Sequence, residues 1–165
     1  MPSISVMSSA AEPVVIRSAV QSRITHRVNA LAELRTVLDG LAAAPWTRTL
    51  DLIGHSTREA KLLRLGTTVI DMCKPSVASW FEQLAADAVL DRLGVVAVRL
   101  LGCETAATPT SQLTIRLLAS VLGMPVYGTR KIVLRSHYTD EGFDSRFTHV
   151  LIESTQLPNP PRRLF

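Results

Sequence analysis

Two cysteines in 165 residues, Cys73 and Cys103, are too few for a disulfide framework. With the histidines at 26, 55, 137 and 149 they make no CxxC or HxxxH pair, so no zinc site of ordinary spacing is expected, and neither a metal nor a cofactor. Aromatic residues are 5% and charged residues 19%, and no basic run carries interleaved aromatics, which argues against nucleic-acid binding. No stretch reaches the roughly 18 apolar residues of a membrane span. The opening "MPSISVMSSAAEPVV" has neither a basic n-region nor an apolar h-region, so it does not read as a secretory signal. Free thiols without such a signal point to the cytoplasm.

What is present is a core. Hydrophobic residues are 47%, and the net charge of 18 − 14 = +4 is modest. A chain of this size buries roughly two thirds of its unfolded surface. Residues 1–12, small and polar, read as a flexible terminus; 13–155 read as a single domain, and 156–165 as a Pro-rich tail. "EPVVIRS" (12–18) reads as a strand. From Ser22 the positions Ile24, Val28, Leu31, Leu34, Val37, Leu38 and Leu41 fall at helical spacing, which predicts a helix closed near Gly40. "TRTLDLIGH" (47–55) is a central strand, and "AKLLRLGTTVIDM" (60–72) a hairpin turning at Gly66. Helices are expected over 74–94, with Trp80 and Phe81 on the buried face, and over 108–123, opened by Pro109 and closed by Gly123. Strands follow at "VVAVRLLG" (95–102), "MPVYGT" and "FTHVLIES", and "KIVLRSHYTDEGF" reads as a strand running into a loop. The alternation predicts an α/β fold, a doubly wound, mostly parallel sheet with flanking helices.

Sites in such sheets gather at the carboxyl ends of strands. Two of those ends are chemically unusual. "LDLIGHST" (50–57) delivers His55 and Ser56 after Gly54; "VVAVRLLGCETA" (95–106) delivers Cys103 after Gly102. Alone, a Cys after an apolar run is usually a small buried hydrophobe. Paired with an imidazole on a neighbouring strand, it becomes a nucleophile with a proton donor for the leaving group. Glu104 and Asp51 are candidates to line a pocket for a basic side chain. Cys73, Trp46, Trp80, His26, His137 and His149 are assigned structural or solvated roles, Trp46 and Trp80 in the core and His26 on the first helix.

These motifs, "LDLIGHS" and "VRLLGCETA" with "LASVLGMPVYGT" after them, resemble the caspase-like (clan CD) cysteine peptidases, closest to the bacterial gingipain-, CHAT- and metacaspase-like domains. The resemblance covers about residues 48–130. It implies His55 as the catalytic histidine and Cys103 as the nucleophile of a thiol protease. The oxyanion hole would come from the backbone N–H groups of Cys103 and Ser56, worth about 3 kcal/mol per donor. The family usually has Gly directly after the histidine; here Ser56 stands there. The implied partner is a protein or peptide substrate, with an activating protein a further possibility.

Two readings compete. "GHSTR" falls one residue short of the G-x-S-x-G elbow of α/β-hydrolases, in which Ser56 would act with Asp140 or Asp144 and His149. Alternatively the chain is a catalytically inactive caspase-like module for protein–protein interaction, with "LPNPPRRLF" as a docking segment.

Overall fold

Residues 1–10 and 25–160 are described by a computed structural model. Its strands in chain order are β1 (Ser3–Ser8), β2 (Thr25–Val28), β3 (Arg48–Ile53), β4 (Arg64–Leu65), β5 (Thr68–Val69), β6 (Val95–Leu101), β7 (Val126–Thr129), β8 (Tyr138–Thr139), β9 (Gly142–Phe143) and β10 (Leu151–Glu153). Six of them form one sheet in the order β10–β7–β6–β3–β1–β2. Every neighbouring pair in it is parallel except β10 with β7. The helices are α1 (Leu31–Gly40), α2 (Pro75–Ala86), α3 (Val89–Arg92) and α4 (Pro109–Leu122).

Register and alternation sort the strand residues between two faces. Ile4, Leu50 and Val98 lie side by side across β1, β3 and β6, as do Val6, Leu52 and Leu100. All six join the main core, together with Leu34 and Leu38 of α1, Phe81 and Leu84 of α2, Leu90 of α3, and Ile115 and Leu118 of α4. The described α-helices therefore cover one face. Fully burying each such side chain stabilises by about 1.5–3 kcal/mol. The alternate residues Met7, Ile53 and Leu101 form a second, smaller cluster with Tyr138, Phe143 and Val150. It is capped by the β8–β9 hairpin and a 3-10 turn at Ser145–Val150.

The α/β class with a mostly parallel sheet agrees with the sequence reading. So do the β4–β5 hairpin and α4, which Thr108 caps through a bond from the Ser111 N–H and Gly123 ends. Several expectations are corrected. The amino terminus is not frayed: Ser3–Ser8 form a strand paired on both sides, to β2 and to β3. The first helix starts at Leu31, because His26 and Val28 belong to β2 and pair with Val6 and Ser8. The helix expected over 74–94 breaks at Ala88, whose φ is 51°. Residues 131–150 hold a 3-10 turn, the small hairpin and a second 3-10 turn, so β10 is only three residues long. His149 sits in that second turn, exposed. Trp46 is 57% exposed and no core residue, whereas Trp80 packs edge-on against Phe81. The tail docks at its start, where Leu157 is buried in the main core and Arg116 donates to the Pro158 carbonyl. The strand expected at 12–18 and the last residues of the tail lie outside the described residues.

Candidate functional site

Strands β3 and β6 are parallel neighbours whose last registered pair is Ile53 with Leu101. His55 and Cys103 each lie two residues beyond that pair, at equivalent carboxyl ends, and both are half-buried. The glycine before each has a steric reason. A Cβ on Gly54 would collide with the Arg64 carbonyl oxygen, and one on Gly102 would stand 2.8 Å from both Ser56 Oγ and a Leu63 methyl. The Gly102 approach thus packs the Cys103 turn on the His55 turn where a side chain would prevent it.

Hydrogen bonds fix the His55 turn. The Arg64 N–H donates to the His55 carbonyl (2.7 Å) and the Thr57 N–H to the Leu62 carbonyl (2.8 Å). These flank the antiparallel bridge between Ser56 and Leu63. In a bridge of this kind the central residue's own N–H points away from its partner strand. The Thr57 hydroxyl accepts from the Leu62 N–H (3.0 Å), and the Thr108 hydroxyl donates to the Ala60 carbonyl (2.6 Å). The last bond ties this turn to the mouth of α4.

The Cys103 turn is anchored on β7. The Thr105 N–H donates to Thr129 Oγ1 (3.1 Å) and the Thr129 N–H to Thr105 Oγ1 (2.9 Å). The Thr105 hydroxyl also lies 2.7 Å from the Leu100 carbonyl, and the Thr129 hydroxyl donates to the Gly102 carbonyl. Next along the chain the Glu104 N–H donates to the Lys131 carbonyl (3.1 Å). Neither the Ser56 nor the Cys103 N–H donates to a described backbone carbonyl. An oxyanion needs backbone donors of this kind, free of a carbonyl partner.

One of the two pocket candidates is placed differently from expectation. Asp51 is fully buried in mid-strand; Arg99 Nε and Nη2 donate to its oxygens at 2.6 and 2.5 Å, and Thr49 donates at 3.1 Å. It faces no open pocket, because β3 and β6 put it opposite Arg99, whose guanidinium stacks on Phe143 at 5.2 Å. Glu104 does stay at the site. Its carboxylate lies 3.7 Å from Lys61 Nζ on the His55 turn, with about a third of each side chain exposed.

Ser56 Oγ is buried without a hydrogen-bond partner. A turn and the β4–β5 hairpin follow it, where the hydrolase elbow demands a helix. Asp144, expected as a triad partner, instead caps a 3-10 turn and accepts from Arg146 at 2.6 Å. The serine reading lacks its scaffold.

Tyr138, which the sequence did not single out, also has a buried hydroxyl without a partner. Burial, and then the Asp51 carboxylate, push its phenol well above the ordinary range, so it stays protonated. Two cavities of about 380 and 290 Å³ are lined by other residues than His55 and Cys103. Among the described residues no group of His, Cys, Asp and Glu could hold a metal, and no helix is long and apolar enough to cross a membrane. Cys73 is exposed, with its N–H bonded to Asp71. Comparison with protein-family models, curated proteins and solved structures returns no match.

Proposed function

We propose that the chain is a caspase-like cysteine endopeptidase whose dyad is Cys103 and His55. The observation that carries this reading is the pairing of β3 with β6, which sets an imidazole and a thiol at equivalent ends of adjacent parallel strands. In this scheme the Cys103 thiolate adds to the scissile carbonyl carbon, and the π pair moves onto oxygen. The Cys103 and Ser56 N–H groups hold that oxyanion. Collapse breaks the C–N bond as His55 gives its proton to the departing amine. Water, deprotonated by His55, then hydrolyses the thioester and returns the thiol and an acid. Ser56, in the family's Gly position, is not among the positive-φ residues, so this turn does not call on the left-handed freedom of glycine.

The test is alkylation of Cys103 against pH, with exposed Cys73 as the solvent reference. Faster alkylation of Cys103 than of Cys73 near neutral pH, lost in His55→Ala, is the expected result. Cys103→Ala and His55→Ala should each abolish peptide cleavage while the fold persists, and Ser56→Ala should do little. Equal, His55-independent reactivity of both thiols would leave an interaction module instead.

A further inference from the structure

Three described residues other than glycine have a positive φ: Lys61 (57°), Ala88 (51°) and Glu104 (58°). Two of these three are ion-paired to each other, Lys61 Nζ to Glu104 Oε2 at 3.7 Å. One lies on the turn that follows His55, the other directly after Cys103. Glycine would carry the left-handed conformation freely at either place. Instead the chain holds a cation and an anion there, and their charges meet across the two turns. Strained backbone of this kind persists where the surroundings over-determine it, and it collects at functional sites. The surroundings are visible: the Lys61 N–H donates to the Thr57 carbonyl (3.2 Å), the Glu104 N–H to the Lys131 carbonyl (3.1 Å), and the Ala107 N–H to the Glu104 carbonyl (2.9 Å).

We propose that Lys61 and Glu104 are positioning residues, a charged latch that holds the His55 turn against the Cys103 turn and sets the distance between imidazole and thiol. The proposal rests on the dyad reading. The fold does not need this latch, since the Thr108–Ala60 bond and the packing of Ser56 on Gly102 already join the turns. The latch adjusts the alignment within that joint. Because a third of each side chain meets solvent, salt weakens it.

Glycine substitutions separate positioning from mere structure. Lys61→Gly and Glu104→Gly each relieve backbone strain, so thermal stability should hold or rise. Cys103 alkylation at pH 7 should nevertheless slow by about fivefold, the scale of a partly exposed ion pair, as the imidazole loses its alignment with the thiol. The charge swap, Lys61→Glu with Glu104→Lys, keeps both non-glycine residues and should restore the wild-type pH profile, whereas each single reversal should not. If His55→Ala moves the Cys103 profile but the glycine variants and the swap leave it unchanged, the latch is refuted and the dyad stands. If His55→Ala moves nothing, the dyad fails and takes the latch with it. If stability and reactivity fall together in both glycine variants and the swap rescues neither, the pair is structural and the proposal is overturned.

Discussion

The two faces of the central sheet are made by alternate residues of the same strands, yet they are built on different chemistry. On the helical face Ile4, Val6, Leu50, Leu52, Val98 and Leu100 meet four helices in one continuous apolar core. On the other, the row Ser5, Asp51, Arg99 and Tyr127 crosses the sheet, and among the described residues a small cluster around Tyr138 and Phe143 caps it. The first face holds the fold by area removed from water. The second holds an ion pair whose gain in Coulomb energy is offset by its desolvation.

That difference can be broken experimentally. Phe81, 2% exposed on the helical face, should cost about 3–5 kcal/mol as Phe81→Ala in urea unfolding, because its cavity cannot collapse among packed helices. Asp51→Ala on the other face should cost about 3 kcal/mol, by leaving Arg99 without its counter-charge at 11% side-chain exposure. The faces then diverge. Asp51→Leu with Arg99→Met should unfold within about 1 kcal/mol of wild type, whereas no second substitution of that sort repairs Phe81→Ala. A double variant as unstable as Asp51→Ala alone would show that the pair stabilises the face outright.

Smaller effects sharpen the comparison. His137, packed on Phe147 at a ring separation of 4.7 Å, accepts from the Leu134 N–H through Nδ1. Burial first, and then nearby His149, lower its pKa below the ordinary value. The unfolded chain therefore binds more protons in the window from about 6.5 down to that lower folded value. Stability falls as pH drops through this window and is flat on either side. Urea midpoints at pH 7.5 and pH 5 should move less in His137→Phe than in wild type. The helical face carries its own small flaw at Ala88, exposed with φ 51°. Ala88→Gly should relieve about 1–2 kcal/mol of strain against about 0.4–1 kcal/mol of added unfolded-state entropy. A net thermal stabilisation near 0.5 kcal/mol is expected.

Sequence pattern reached the parts of the molecule whose signals are local. Strands β3 and β6 are long apolar runs stopped by glycine, and α4 carries its own start and stop in Pro109 and Gly123. Strand β1 escaped because "SISVMS" sets serines between its apolar residues, and Ser5 and Ser8 are buried for reasons that lie on other strands. One of them, Ser8, accepts from the Gly66 N–H at 2.7 Å, across 58 residues of chain. At the candidate site, His55 and Cys103 were legible as odd residues at strand ends. The fate of Asp51 was not, since its partner Arg99 is 48 residues away and is fixed by register. Nor was the left-handed backbone at Lys61 and Glu104, which neither residue type favours.

The interior place of β1 also sets a timetable. Ser3 pairs with Thr49 and the Pro2 carbonyl accepts from the Thr49 N–H, so this strand's contact with β3 waits for 46 further residues to be made. At the usual pace of synthesis that is roughly 2–9 s. During that interval β1 has at most β2, one of its two neighbours, and the ribosome rather than the finished protein decides how safely its open edge waits.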